Sequence, residues 1–328
     1  MSKSDEYLEI LRKASEVAYI KWWPKYVYHY TDINNAINIL EDGKIYSRNK
    51  AVNRMINENA GLEILNHTED EIFDYVRFYF RPKTPTQYRN EGFIPQDCKQ
   101  YNNSNVPVPV FFVFEAKDML AMEKTKFSEI ALANTGSHLT NDINDFRKFD
   151  FRKIYSGGGY KGENLTPYRR AELVIPDECD LRFLKHIWCR SSAEYASLRT
   201  MLKERNIYDR YKNIIGVKEY DSGLFFKEGL YVSHVNLSIN KAEILYINTH
   251  LVNDSNVDIK YVIQVGNQKI ESKTVHVLQS RIDFSRSEIQ NLIKQNNGEY
   301  IFQIFFDNCL VYFNKYSGAE SDLDELPY

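Results

Sequence analysis

Long apolar runs are missing from this sequence of 328 residues. No stretch of about 18 apolar residues is available to span a membrane, and the N-terminal segment 1–6 is polar where a signal peptide would be apolar. Cysteine is scarce and shows no CxxC spacing, which argues against a zinc site or a disulfide framework and fits a reducing compartment. We therefore expect a soluble, cytoplasmic protein. The four cysteines are Cys98, Cys179, Cys189 and Cys309.

An excess of positive charge is also missing, since the formal net charge is −3. A nucleic-acid-binding role would therefore have to come from a local patch. The GxSxG, GxxxxGK[ST], HExxH and Rossmann glycine signatures do not occur. The glycine triplet at 157–159 is not followed by the helix that a phosphate loop requires. None of the common short motifs for hydrolases or nucleotide binding therefore identifies a site.

Apolar and aromatic side chains are plentiful. Hydrophobic residues make up 43% of the chain and aromatic residues 14%, so a large core is available and some rings could stack on bases instead. The length suggests two domains. Helix and strand patterns are mixed up to residue 231, and short strands dominate after it. We expect an α+β domain over residues 1–231 and a small β-rich, sandwich-like domain over 232–328 with an acidic tail.

One carboxylate stands at the start of a strand that otherwise reads as core. Glu172 follows Arg169 and Arg170 and precedes the apolar run that Pro176 closes. Burial of an unpaired charge is costly, so this carboxylate is either paired with a neighbour or retained for chemistry. The segment by itself favours pairing, and both interpretations remain open at this point.

Two further strand patterns carry polar side chains that packing does not explain. His29 and Thr31 are two residues apart, so their side chains share a face of an extended segment and form either a local hydrogen bond or a ligand clamp. Arg77 interrupts a strong strand pattern, which an edge position or an inward ion pair would explain. The basic residues after that strand, including Arg81, are typical of a solvated rim.

The segment from Phe146 to Tyr168 predicts a mobile loop because it contains the glycine triplet. Residues 147–170 hold seven basic side chains and two acidic ones, with aromatic residues between them. Basic groups that follow phosphates and rings that stack on bases are what a single-strand binding surface needs. A charged loop that only keeps the protein in solution is the alternative.

Three motifs in this order resemble the DarT family. They are Tyr28-His29-Tyr30-Thr31 with Asn35 and Gly43, the strand and turn from Asp74 to Pro85, and Arg170-Ala171-Glu172-Leu173-Val174. Members of that family are NAD-dependent ADP-ribosyltransferases that modify bases in single-stranded DNA, as toxins of toxin–antitoxin and anti-phage systems. The resemblance covers about residues 26–230. It implies a split mixed sheet with flanking helices and makes the helix predicted over residues 4–20 an addition.

The resemblance implies roles for the matching positions. Glu172 matches the catalytic glutamate, and Arg54 is preferred to Arg48 as the catalytic arginine that contacts the NAD+ phosphates. At Arg77 the chain departs from the family, where a small residue or proline is expected. The implied NAD+ contacts are His29, Thr31, Asn35, Arg48 and Tyr79. The implied substrate contacts are His138, Arg152, Tyr155, Tyr160, Arg169 and Arg170.

The chemistry agrees with these residue types. A carboxylate near the ribose can stabilise the oxocarbenium-like state that forms as the nicotinamide bond breaks, and it can take a proton from the attacking base. We expect NAD+ as a substrate, no metal and no membrane partner, and transfer to single-stranded DNA. The same transfer to RNA is the first alternative, and a non-catalytic nucleic-acid- or partner-binding module is the second. The region after residue 232 is expected to dock an antitoxin or another defence-system protein.

Overall fold

The structure, a computed structural model, describes residues 2–55, 70–95, 104–134, 136–158, 163–218, 223–248, 257–285 and 287–318. The acidic tail expected near the C-terminus lies outside these ranges. The strands are β1 Tyr26–Asp32, β2 Lys44–Tyr46, β3 Tyr75–Tyr79, β4 Pro109–Glu115, β5 Lys126–Ser128, β6 Glu172–Pro176, β7 Glu178–Asp180, β8 Leu184–Cys189, β9 Ile215–Val217, β10 Leu230–Leu237, β11 Lys241–Asn248, β12 Ile259–Val265, β13 Gln268–Glu271, β14 Arg281–Asp283, β15 Tyr300–Phe306 and β16 Cys309–Tyr316.

The helices lie mainly in the first two thirds of the chain. Among the described residues, no helix combines the length and the apolar character that crossing a membrane requires. The α-helices are α1 Lys3–Val17, α2 Ile33–Asp42, α3 Pro85–Asn90, α4 Ala116–Ala121, α5 Ile143–Arg147, α6 Phe151–Ile154, α7 Ser192–Glu204, α8 Tyr208–Tyr211 and α9 Ser287–Gln295. Short 3₁₀ turns cover Trp23–Lys25, Asp70–Asp74 and Tyr168–Arg170.

A seven-stranded mixed sheet in the order β5-β6-β3-β1-β4-β8-β9 forms the larger part of the molecule. The β8–β9 pair is parallel and the other pairs are antiparallel. Strand β4 is buried along nearly its whole length, as its continuous apolar sequence requires of a central strand. Two antiparallel sheets, β10-β11-β14 and β13-β12-β15-β16, follow. The α+β class and the β-rich C-terminal part predicted from the sequence are confirmed.

Helix α2 connects β1 to β2 and is delimited by local chemistry. Asp32 accepts a hydrogen bond from the backbone N–H of Asn34 at 3.0 Å and caps the N-terminus. Gly43 ends the helix with φ of 67°, a left-handed conformation that a side chain would strain. The turn at Asp32 therefore fixes where the polar residues of α2 lie relative to β1.

The N-terminal helix is part of the core. Tyr7 of α1 is fully buried and contacts Phe146 edge-on, with ring centroids 5.5 Å apart. In the segment from Phe146 to Tyr168, for which a mobile loop is predicted, residues 146–147 end α5 and residues 151–154 form α6. Phe146 and Tyr155 are fully buried and hold this helical part of the segment against the core.

A buried ionic cluster lies where the seven-stranded sheet meets the C-terminal sheets. Arg190 is fully buried, and its guanidinium donates to Glu194 through Nε at 3.1 Å and to the Pro107 carbonyl at 3.0 Å. The guanidinium carbon lies 3.9 Å from the ring centroid of Tyr231. Glu91 lies 3.9 Å from the same guanidinium. The boundary predicted after residue 231 thus falls within β10, on a continuous core rather than on a linker.

Arg190→Ala should unfold at markedly lower denaturant, because Glu194 and Glu91 would be left buried without their cation. We expect a loss of about 3–5 kcal/mol, as for other buried pairs broken on one side. Urea unfolding followed by circular dichroism measures it. Arg182→Ala, which removes an exposed partner of Asp180, is the control and should leave the midpoint nearly unchanged. Equal effects of the two variants would contradict the role of the cluster.

The stability of the fold should depend on the charge of Asp32. Burial raises the pKa of this carboxyl to about 6, although hydrogen bonds from Asn34 act in the opposite direction. Because the pKa of Asp32 is raised in the folded state, the stability that this carboxyl contributes is greatest at a pH below its ordinary pKa. That contribution is lost as the pH rises through about 6. Asp32→Asn keeps the cap and removes this loss. Its urea midpoint relative to wild type should therefore increase between pH 4 and pH 7, and a constant difference would contradict the assignment.

Candidate active site

A cavity of about 240 Å³ lies at a split in the large sheet. Strands β1 and β4 pair along seven positions, whereas β1 and β3 share a single pair, Tyr28 with Tyr79. Beyond that pair the strands diverge, and residues from β1, β3, β6, α2 and α3 line the space. The local pairing of the sheet therefore creates the cavity.

The cavity brings together eight of the residues singled out in the sequence. They come from four separate stretches of the chain, residues 29–35, 48–54, 79 and 170–172, which is what the ordered motifs required if they form one site. The eight are His29, Thr31, Asn35, Arg48, Arg54, Tyr79, Arg170 and Glu172.

Glu172 forms a bidentate ion pair with Arg77. Its side chain is 1% exposed, and its two oxygens accept from Nε and Nη2 of Arg77, both at 2.6 Å. Burial disfavours the charge of Arg77, but the carboxylate outweighs this, and the pKa of Arg77 is raised above its ordinary value. The pairing interpretation of Glu172 holds, with Arg77 rather than a preceding arginine as the partner on the neighbouring strand. Since the pair also lines the cavity, pairing and chemistry are compatible.

His29 is held in a defined tautomer by the same strand. Its Nδ1 lies 3.1 Å from the carbonyl oxygen of Arg77, and a carbonyl can only accept, so Nδ1 carries the proton and Nε2 remains an acceptor. Burial lowers the pKa of His29, with the carbonyl opposing. The side chain is therefore a neutral imidazole at neutral pH, suited to hydrogen bonding with an uncharged amide or ribose.

Tyr79 lies across from Glu172 in the β3–β6 register. Burial and then the charge of Glu172 raise the pKa of its phenol, with Arg77 and Arg170 opposing. Tyr79 is therefore a neutral hydroxyl next to the carboxylate. It can donate or accept a hydrogen bond at this wall without adding charge.

The two candidate arginines at the mouth of the cavity differ in their surroundings. Arg54 donates to Asp42 through Nε at 2.9 Å and to Glu41 through Nη2 at 3.2 Å. Arg48 lies over the ring of Phe73, 5.4 Å from its centroid. Both are half-exposed and both line the cavity. Glu41 and Asp42 together hold the guanidinium of Arg54 at the cavity mouth.

Four predicted substrate contacts do not line the cavity. Tyr155 is fully buried and stacks on Phe151 with centroids 6.2 Å apart, so the structure offers no face of this ring to a base. His138 and Arg152 are exposed outside the cavity. Arg169 donates to Ser156 Oγ at 3.0 Å and to the carbonyl of Gly158. The remaining predicted substrate contact, Tyr160, lies outside the described residues.

Arg81 has a role that the sequence did not reveal. The expected solvated side chain is buried and donates to the carbonyls of Ile154 and Ser156 at 3.1 and 2.6 Å. It also lies over Trp23, 4.4 Å from the ring centroid, and burial lowers the pKa of its guanidinium to about 9. Arg81 therefore anchors the basic segment to the end of β3. Its position directly before Pro82 was the available signal, since a proline fixes the turn there.

Within the described ranges, no three His, Cys, Asp or Glu side chains come together as a metal site would require. The cavity wall presents a carboxylate, an imidazole, hydroxyls and guanidinium groups.

Comparison with known proteins decides which chemistry this is. The family model described as "ssDNA thymidine ADP-ribosyltransferase, DarT" matches residues 28–215, which is more than half of the chain and contains every residue of the cavity discussed above. The chain belongs to the DarT family. It is therefore an ADP-ribosyltransferase, and the donor of its ADP-ribose is NAD+. The predicted family is confirmed, and helix α1 precedes the matched region.

Solved structures with a similar fold include two of DarT from Thermus sp. 2.9. The one in complex with ADP-ribosylated ssDNA is 19% identical, with 57% of this chain and 90% of that chain covered and a TM-score of 0.47. The one in complex with NAD+ is 17% identical, with 60% and 96% covered and a TM-score of 0.45. Thermosipho africanus DarTG in complex with ADP-ribose is 17% identical, with 56% and 48% covered and a TM-score of 0.43. No curated protein matches significantly. The family membership rests on the family model alone.

Arg54→Ala should raise the KM for NAD+ about tenfold, because a charge-assisted hydrogen bond to a phosphate contributes on that scale. Steady-state kinetics with varied NAD+ measures it, with Arg48→Ala in parallel. Arg205→Ala is a matched control, since Arg205 donates to the same Glu41 at 2.9 Å but does not line the cavity. Equal changes for Arg54 and Arg205 would assign Arg54 a structural role. A larger change for Arg48 would transfer the phosphate contact to that residue.

Proposed function

We propose that this chain transfers ADP-ribose from NAD+ to a nucleobase in single-stranded DNA. The observation that carries the proposal is the position of Glu172, a buried carboxylate on the wall of the cavity within the region that the family model matches. The description of that model names single-stranded DNA thymidine as the acceptor. Single-stranded DNA also avoids the cost of unstacking a duplex before the base can reach the cavity.

In the proposed reaction Glu172 acts on both halves of the transfer. Its negative charge stabilises the ribose as the nicotinamide leaves, and it takes the proton of the attacking base nitrogen. His29, Thr31 and Asn35 hold the nicotinamide riboside, and Arg54 and Arg48 bind the phosphates. NAD+ itself supplies the leaving group and the transferred ADP-ribose.

The acceptor would enter past the basic segment around residues 147–170. Arg170 lines the cavity beside Glu172, and Arg152 is exposed on α6 and does not line it. Guanidinium groups at both depths suit a phosphate backbone that leads one base inwards. Arg169 braces this segment through Ser156, and His138 is proposed on the acceptor side.

We infer a cellular role as a toxin of a toxin–antitoxin or anti-phage system, since covalent modification of DNA bases blocks their use as template. An antitoxin or another defence-system protein is the proposed partner. The C-terminal sheets β10-β11-β14 and β13-β12-β15-β16 lie beyond the matched residues 28–215. A region added to the transferase is the natural place for that docking surface.

Wild-type protein with NAD+ should add one ADP-ribose to single-stranded DNA oligonucleotides, and Glu172→Gln should lower the rate by at least about 10³-fold because the charge at the ribose is lost. Mass spectrometry of mixed DNA and RNA oligonucleotides identifies the polymer and the base. Glu243→Gln, which changes a half-exposed carboxylate of β11 paired with Lys241, is the control and should retain the wild-type rate. If adducts form on RNA alone, the acceptor is RNA and the DNA proposal is wrong. An adduct that persists in Glu172→Gln would reject Glu172 as the catalytic carboxylate.

A further inference from the structure

Arg77 and Glu172 hold each other in one geometry at the cavity wall. The two residues lie on adjacent strands, β3 and β6, and the fork of the guanidinium meets both carboxylate oxygens at 2.6 Å. The carboxylate is 1% exposed and the arginine side chain 26% exposed. Such a bidentate pair fixes the plane of the carboxylate as well as its position.

The pair leaves the carboxylate able to accept further hydrogen bonds. An ionised carboxylate offers about four lone-pair positions, and the two bonds to Arg77 use two of them. Without the guanidinium, the carboxylate would lose both of these bonds and with them its fixed plane. The arginine thus supplies the orientation of the carboxylate.

We propose that Arg77 is a positioning residue for the transfer, which orients the Glu172 carboxylate at the cavity wall. This inference rests on the proposed function of Glu172. The neighbouring strand positions support it, because Tyr79 and Ser128 lie directly opposite Glu172 on β3 and β5 and neither is a cation. Arg77 also presents its carbonyl to His29. One residue therefore orders the carboxylate through its side chain and the imidazole through its backbone.

Other charged and titratable groups around the pair determine what the test must separate. Arg170 lines the same wall from the turn before β6, and its charge acts on Tyr79 together with those of Glu172 and Arg77. Lys126 on β5 donates to the hydroxyl of Tyr75 at 3.2 Å. Arg170 is the second cation at this wall, so loss of Arg77 leaves a partial positive field. The test must therefore separate loss of the fork from loss of one positive charge.

Arg77→Met should lower kcat for ADP-ribosylation of DNA about 10–100-fold, since the carboxylate loses its fixed geometry. The KM for NAD+ should stay within threefold. Arg77→Lys keeps the charge without the fork, so its kcat should fall as well. The measurement is the rate of adduct formation at varied NAD+ and a fixed pH.

Arg281→Met is the matched control, because Arg281 makes a similar two-atom pair with Asp283 on exposed β14 and should leave kcat unchanged. An Arg77→Met enzyme with a kcat at or above that of wild type would overturn the proposal. If Arg77→Met does not fold, the kcat of Arg77→Lys decides. If wild type modifies neither DNA nor RNA, the proposed function has failed, and the kcat of NAD+ hydrolysis tests Arg77 separately.

Discussion

The single residue pair between β1 and β3 determines where this protein can have a site. A sheet that paired fully at this position would bring the two strands to hydrogen-bonding distance along their length and leave no room for a ligand. Pairing at Tyr28 and Tyr79 alone keeps the sheet continuous while the strands separate beyond it. The motifs that are distant in sequence meet in that gap, since each lies on a strand or helix end that borders it.

A cavity in the core removes the polar groups on its wall from bulk water. Because an unpaired buried charge is costly, the charged groups around the cavity need partners. Each buried charge at or near the gap has a partner that the fold provides. Glu172 is matched by Arg77, the amide groups of Asn34 surround Asp32, and Arg81 is satisfied by backbone carbonyls. Because breaking one side of such an arrangement is costly, the site and the stability of the sheet are linked. The residues that organise the chemistry are also ones that the fold cannot easily lose.

Much of this was predictable from local patterns. The strand that starts at Glu172, the helix that ends at Gly43 and the shared site of His29 and Thr31 follow from apolar runs, caps and spacing. The partner of Glu172 was not predictable, because it depends on the register of β3 against β6 and not on sequence distance. The arginines next to Glu172 were the nearest candidates along the chain. Arg77 was recognisable as unexpected, and an inward ion pair was one of its two explanations.

The basic and aromatic segment around residues 147–170 shows why composition alone misplaced some residues. In sequence its rings and cations alternate, which suggested a single mixed surface. In the fold Phe146 and Tyr155 lie in the core, Phe149, Phe151 and Tyr168 are half-buried, and Arg147, Lys148 and Arg152 are exposed. Several of those cations already hold carboxylates, such as Arg147 with Glu6 and Lys148 with Asp145. Exposed ion pairs of this kind are weak and screened by salt, so a polyanion can exchange for the carboxylates. The buried rings of Phe146 and Tyr155 then contribute rigidity to the basic surface, and base stacking does not involve these two rings.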